Sequence, residues 1–130
     1  MRAHWLKALG HARGPLPLAW LEAGHGLERT GFPRRPRMAP GDRLVYYASV
    51  HRRVFAIVEV TTEPERRAGA PERWPWSVEV EPLLLIPRLD DAPPVEAIGV
   101  AARSMSQQSH IRLSLEHYRR AVDVLASVAR

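Results

Sequence analysis

The twelve residues 38–49, Met-Ala-Pro-Gly-Asp-Arg-Leu-Val-Tyr-Tyr-Ala-Ser, decide the predicted fold of this chain. A proline followed by a glycine is typical of a type II turn, because proline fixes φ at the second position and glycine takes the positive φ of the third. The residues from 43 to 49 are rich in β-branched and aromatic side chains, as in a strand. We therefore expect a tight turn at Pro40 and Gly41 that leads directly into a strand.

Further strands are predicted on both sides of this turn. Residues 54–61 have a similar composition and would form a hairpin with 43–49 through a turn at 50–53. Residues 76–81 alternate apolar and polar side chains, and this strand would continue past Pro82, which places the proline at an edge or a bulge. Short strands at 4–8 and 110–113 would complete the sheet.

The helical signals are fewer. A small helix over 17–23 would end at Gly24, and residues 93–105 would form a short helix or an irregular connection. Ser114 would cap a terminal amphipathic helix. The apolar stripe of that helix consists of Tyr118, Ala121, Val122, Leu125 and Val128. The predicted class is α+β: a mostly antiparallel sheet of about five or six strands, curled into a small barrel, with two or three flanking helices.

Length and composition limit the choice of class. A chain of 130 residues with 45% hydrophobic residues suits one domain, 1–130. It has no cysteine, which excludes a disulfide scaffold, a thiol nucleophile and any cysteine-based metal site. Because it contains neither an apolar run of about 20 residues nor a secretory signal pattern, we expect a soluble cytoplasmic protein with no membrane partner.

The positive charge is concentrated in one part of the chain. The formal net charge is +5, and five arginines against a single aspartate give +4 between residues 29 and 43. Residues 24–40 contain several glycines and prolines and little apolar periodicity, so we expect a long basic surface loop there. Such a loop would attract a polyanion.

The common catalytic motifs are missing. The sequence has no Gly-x-Ser-x-Gly elbow, no Gly-x-Gly-x-x-Gly or Walker pattern, and no His-Glu-x-x-His pair. These absences disfavour a hydrolase, a nucleotide-dependent enzyme and a metal site. We therefore expect no catalytic residues, no metal and no cofactor.

Aromatic residues are the better lead to function. Trp20 lies within an apolar run and is expected in the core, whereas Trp74 and Trp76 flank a proline and would point the same way along an extended strand. Aromatic faces beside arginine can stack nucleobases, and the basic charge favours a base over a methylated cation. Residues 104–112 are polar and lack acids; they form either a loop that satisfies its own backbone or a binding rim.

Several blocks of the sequence, taken in order, resemble the EVE domain family of the PUA-like superfamily, which is related to YTH and ASCH domains. They are His4-Trp5-Leu6, residues 38–49, residues 54–60 with Glu63-Pro64, residues 76–82, and residues 111–118. Residues 24–37 lack the Trp-Gly-type block expected before the Pro-Gly-Asp turn. We therefore expect the pocket wall on that side to differ or to be missing.

The resemblance implies a PUA-like barrel that acts as a non-enzymatic reader and holds a flipped, modified base, chiefly modified cytosine in DNA, in an aromatic-lined pocket. The matching positions imply pocket residues Trp5, Tyr47, Ser49, Trp76, Ser104, Met105, Ser106 and His110. The expected phosphate contacts are Arg34, Arg35, Arg37 and Arg112. The partner would be DNA or RNA that carries a modified base.

Two other functions are compatible with the sequence. One is an ASCH-like barrel that binds a small molecule or acts as an enzyme, with the polar loop as its active site. A buried carboxylate or histidine facing the cavity would favour it, whereas a cavity of aromatic and neutral hydrogen-bonding side chains that opens onto a basic face would favour the reader. The other is an interaction module whose basic loop docks an acidic protein.

Overall fold

A computed structural model describes residues 2–10, 15–24, 26–70 and 73–129. Within these residues the strands are β1 (His4–Leu9), β2 (Arg29–Phe32), β3 (Arg43–Ala48), β4 (Arg53–Val60), β5 (Glu65–Arg66), β6 (Trp76–Leu85) and β7 (His110–Leu113). The helices are α1 (Trp20–Ala23) and α2 (Leu115–Val128). Three 3-10 turns, Leu89–Asp91, Val95–Ile98 and Ala102–Met105, connect β6 to β7.

The strands form one mixed, curled sheet in the order β2-β6-β4-β3-β1-β7, with β5 beside β6. All neighbours are antiparallel except β1 and β3, which run parallel from His4 opposite Arg43 to Leu9 opposite Ala48. The predicted α+β class is confirmed, and the described strands exceed the expected five or six because β2 and β5 were not predicted.

The turn before β3 has the predicted geometry. Gly41 has a φ of 96°, and the Asp42 amide donates to the Ala39 carbonyl at 3.0 Å, as in a type II turn. The Asp42 side chain is only 4% exposed. Its carboxylate accepts hydrogen bonds from the Ala3 amide at 3.0 Å, the Trp5 indole Nε1 at 3.1 Å and the Ala39 amide at 3.2 Å. One carboxylate thus holds the turn against the beginning of β1.

The curl of the sheet brings its two outer strands together. The Phe32 ring on β2 meets the His110 ring on β7 edge to face, with centroids 5.1 Å apart. We call this meeting of β2 and β7 the seam. On the opposite face of β1 and β3, helix α2 packs against the sheet, where Tyr118 stacks on His4 at 4.2 Å and its hydroxyl accepts a hydrogen bond from Arg43 at 3.0 Å.

The expected long loop at 24–40 is wrong in part. Residues 29–32 form β2, which pairs with β6 from Arg29 opposite Glu79 to Phe32 opposite Trp76. Gly31 is not a turn residue: a Cβ there would come within 3.1 Å of the Trp74 Cβ, so the glycine allows Trp74 to pack closely on β2. Buried residues of this segment are Thr30, Phe32, Pro36 and Met38.

The other predicted elements form close to where they were expected. The hairpin of β3 and β4 is confirmed, and a register shift opposite Pro82 confirms the bulge in β6. Gly24 ends α1 with a φ of 74°, and the Ser114 hydroxyl caps α2 by accepting from the His117 amide at 3.1 Å. Val128 is 38% exposed, because the apolar stripe of α2 leaves the core after Leu125.

Replacing Asp42 by Asn tests the role of the carboxylate in this fold. An amide keeps one acceptor oxygen and brings an NH₂ group toward N–H donors, so the Asp42→Asn substitution should lower the free energy of unfolding by about 2 kcal/mol. Urea denaturation measures this loss. Asp90→Asn is the control, since Asp90 is exposed and forms a surface ion pair with Arg88. Equal stability of the two variants would contradict the assignment.

Candidate functional site

A cleft of about 620 Å³ lies between the turn joining β3 to β4 and the segment that precedes β7. Its lining residues are Tyr47, Ser49, Val50, Arg52, Ala102, Arg103, Met105, Ser106 and Gln107. Tyr47, Ser49, Met105 and Ser106 were predicted from the sequence as pocket residues, and the structure brings these four together. Its volume is within the range of small-molecule sites.

The backbone around this cleft is unusual. Val50, Arg52 and Gln107 have φ values of 73°, 59° and 60°, and all three line the cleft. Non-glycine residues in this region are strained, most of all β-branched ones, and such strain persists only where surrounding contacts impose it. Here the Arg52 amide donates to Ala48 at 2.8 Å and the Arg52 carbonyl accepts from the Val95 amide at 3.0 Å. The turn is therefore held rigidly in the shape that forms one cleft wall.

The charges in the cleft are all positive. Arg52 and Arg103 are its ionisable cations, and among the described residues that line it there is neither a carboxylate nor a histidine. Burial raises the pKa of the Tyr47 hydroxyl above its usual value, Arg52 works in the opposite direction, and Glu96 raises this pKa further. Tyr47 therefore stays a neutral hydroxyl at physiological pH and can donate or accept a hydrogen bond.

Three predicted pocket residues, Trp5, Trp76 and His110, are not among the residues that line the cleft. Trp5 and His110 lie at the seam. Their rings meet at 5.6 Å, and His110 also contacts Phe32. Trp5 is only 8% exposed, and its indole N–H is used by Asp42. Trp5 is thus a core residue. Ser104 is exposed and is not among the lining residues.

Two of the predicted phosphate-binding arginines stack on aromatic rings, and the other two are exposed on the segment that follows β2. Arg35 stacks over the half-buried Trp76 ring, with its guanidinium carbon 5.3 Å from the centroid, and Arg112 lies 5.2 Å from the centroid of Trp5. We call Arg34, Arg35, Arg37 and Arg112 the arginine surface. All four are exposed, and none has a carboxylate within 4 Å in the part of the chain that the structure describes.

The remaining two arginines of the basic stretch form ion pairs with glutamates. Arg29 pairs with Glu79 at 3.4 Å and Arg43 with Glu59 at 3.3 Å. Their charge is therefore locally compensated, which leaves the uncompensated charge of the stretch on Arg34, Arg35 and Arg37.

The arginine surface is connected to the cleft through residues of the seam. Trp76 lies opposite Phe32 in the sheet, and Phe32 contacts His110. Gln107 in the cleft wall is three residues from His110, a chain span of about 11 Å at most.

Lys7 is a feature that the sequence reasoning missed. Its side chain is 4% exposed, the ammonium group donates to the Ala8 carbonyl at 2.9 Å, and Nζ lies 4.8 Å from the centre of the Phe32 ring. Burial lowers the pKa of Lys7 to about 7, and burial together with Lys7 lowers the pKa of His110. The available signal was its position in β1, two residues after Trp5, which places both side chains on the same inner face.

The described residues were compared with the requirements of a metal-ion site and of a membrane-spanning helix. In that part of the chain no group of three or more histidine, aspartate or glutamate side chains is placed to hold a metal ion. None of the helices seen there is long and apolar enough to cross a bilayer.

Comparisons with known proteins identify the fold. No family model and no curated protein matches the sequence. Among solved structures, a hypothetical protein from Leishmania major aligns over 100% of this chain and 98% of its own, with a TM-score of 0.67 and 14% identity. An ASCH protein from Zymomonas mobilis aligns over 95% and 96%, with a TM-score of 0.58 and 13% identity. Human THYN1, in complex with DNA containing 5-methylcytosine, aligns over 98% of both chains, with a TM-score of 0.56 and 12% identity. The chain has a PUA-like fold. At sequence identities of 12% to 14%, the similarity to these structures concerns the fold alone.

Val50 tests whether the cleft wall is strained. The side chain is 71% exposed, so its removal loses little burial, whereas glycine adopts the positive φ freely. Val50→Gly should therefore raise the free energy of unfolding by about 1 kcal/mol. Denaturant titration measures the change, and a destabilised Val50→Gly protein would show that the turn carries no strain.

Lys7 should make stability depend on pH. Its pKa is about 7 in the folded protein and about 10.4 in an unfolded chain, so between these values the unfolded state binds more protons and stability rises with pH. Lys7→Met should increase the free energy of unfolding by about 2 kcal/mol at pH 7. The gain should shrink toward pH 9, because releasing the lysine proton on folding costs less free energy at higher pH. Thermal or denaturant unfolding at pH 7, 8 and 9 measures the difference; a gain that is constant with pH would show that Lys7 stays charged in the fold.

Proposed function

We propose that this PUA-like protein is an EVE-like, non-enzymatic reader that binds a modified base of a nucleic acid. The observation that carries the proposal is a cleft without carboxylates or histidines among its described lining residues, on a protein that also exposes arginines without a described carboxylate partner. The fold that the chain shares with THYN1, which was solved with DNA containing 5-methylcytosine, supports the same function.

The cleft has the groups that a base requires. Tyr47 and Met105 line it with an aromatic and an apolar side chain that are each 5% exposed, while Ser49, Ser106 and Gln107 offer neutral donors and acceptors for the edge of the base. Extruding a base costs a few kcal/mol of lost stacking and pairing, which contacts in a shaped pocket can offset. The rigid turn at Val50 and Arg52 keeps one wall in place before the ligand arrives.

The arginine surface would hold the backbone on either side of that base. Arg34, Arg35 and Arg37 carry charge that no described carboxylate compensates, and Arg35 is already ordered over Trp76. Phosphates bound there would release counterions, which makes binding dependent on salt but indifferent to sequence. Discrimination would come from the cleft and general affinity from the arginines.

The ASCH-like enzyme is the second candidate. ASCH structures share the fold, and Lys7 is an amine whose lowered pKa suits proton transfer. Lys7 is buried and does not belong to the residues that line the cleft. The lining therefore favours a reader over a catalyst.

Oligonucleotide binding at two salt concentrations tests the reader. Matched DNA and RNA oligonucleotides with cytosine or 5-methylcytosine at one position are titrated against the protein. We expect tighter binding of the modified strand, and loss of that preference in a Ser49→Ala, Gln107→Gly protein, in which glycine preserves the positive φ at 107.

The triple substitution of Arg34, Arg35 and Arg37 by Gln should weaken both strands equally and reduce the slope of log affinity against log salt by about 2. The matched control replaces Arg88, which follows β6, and Arg119 and Arg120 on α2 by Gln; all three are exposed. Equal affinity for modified and unmodified strands, with only a salt slope, would refute the reader.

A further inference from the structure

Each of the two walls of the cleft contains an arginine. Arg52 belongs to the turn between β3 and β4, and Arg103 to the 3-10 turn Ala102–Met105. The same lining includes Tyr47, Ser49, Ser106 and Gln107, whose side chains carry hydroxyl and amide groups. The lining is therefore rich in hydrogen-bond donors, and its only charges are positive.

The fold fixes the position of Arg52 at an energetic cost. Its φ of 59° is unfavourable for arginine, and the residue is held there from both sides by backbone bonds to Ala48 and Val95. The isolated bridge between Arg53 and Pro94 ties the next residue to the same segment.

Arg103 is fixed in a similar way on the other wall. Met105, in the same 3-10 turn, is buried, and the Ser106 amide donates to the Arg103 carbonyl at 3.1 Å. The four ion pairs in the described part of the chain involve neither Arg52 nor Arg103. Glu96 is the carboxylate that acts on Tyr47, but it lies outside the lining.

From this arrangement we infer that the ligand of the cleft carries an anionic oxygen group, a carboxylate or a phosphate, that binds between Arg52 and Arg103. Guanidinium groups bind such oxyanions through paired, charge-assisted hydrogen bonds. A neutral base would leave both cations without a partner in the cleft. This inference deepens the proposed function, and its nucleic-acid part rests on that proposal. The ligand would be either a base with a carboxylate modification or a nucleotide whose terminal phosphate enters the cleft.

Two pairs of probes distinguish the two sources of the anion. The first pair is a single-stranded oligonucleotide with either 5-carboxycytosine or 5-methylcytosine at its centre and no terminal phosphate. The second pair is deoxycytidine 5′-monophosphate and deoxycytidine. Affinity is measured by calorimetry, and amide chemical shifts of Ser49, Ser106 and Gln107 report whether the cleft is occupied.

We expect at least tenfold tighter binding of the anionic member of one pair, with shifts at these three amides. Arg52→Asn and Arg103→Gln should each remove that preference. Asparagine tolerates a positive φ, so the first variant keeps the turn and loses only the charge. Arg119→Gln, on the exposed face of α2, should change nothing.

The outcomes separate this inference from the proposed function. Equal affinity within both pairs, with the neutral members shifting the cleft amides, would overturn the anionic ligand and leave the reader intact. Binding of the monophosphate in the cleft, without binding of any oligonucleotide, would support the anionic site and refute the reader. Retention of the anion preference in both arginine variants would overturn the assignment of Arg52 and Arg103.

Discussion

The buried carboxylate of Asp42 is the constraint on which the rest of the structure depends. By accepting from Ala3, Trp5 and Ala39 it joins the type II turn to the first strand and sets β1 parallel to β3. That pairing brings the far ends of both strands together, where the Ser49 amide donates to Leu9 at 3.2 Å and the Ala8 amide to Ser109 at 2.9 Å. The cleft and the segment before β7 are positioned from there.

In the proposed function, binding of the ligand is divided between two parts of this frame. The end of the β3–β4 hairpin and the segment 102–107 make a cleft whose backbone is strained at three non-glycine positions. The seam, where β2 meets β7, carries aromatic rings with arginines stacked on their outer side. The first has the shape and the hydrogen-bonding groups for a base, and the second has the charge for a phosphate backbone. Both are built on the ends of paired strands, which gives them a rigid support.

Local signals predicted most of the fold. The Pro-Gly turn, the hairpin and the capped terminal helix depend on residues close together in sequence, and all three form as expected. Strand β2 was missed because it is specified by a distant partner, β6, and because Gly31 looks like a turn residue until Trp74 packs on it. The close packing of Trp74 on Gly31 is visible only in the tertiary structure.

The site was predicted only in part, because the positions of its side chains also depend on the tertiary structure. Tyr47 and Trp5 were assigned to one pocket, but Trp5 lies opposite Leu44 and Tyr47 opposite Ala8, so alternation along the strands sends the two side chains to opposite faces. Arg52 could not be predicted as a cleft residue, because nothing about an arginine indicates a positive φ.

The central claim is that a modified base enters the cleft, and photo-crosslinking of an oligonucleotide with 5-iodocytosine tests it most directly. The account predicts that mass spectrometry finds the crosslink on Tyr47 or Met105; a crosslink confined to Trp76 or to helix α2 would contradict it.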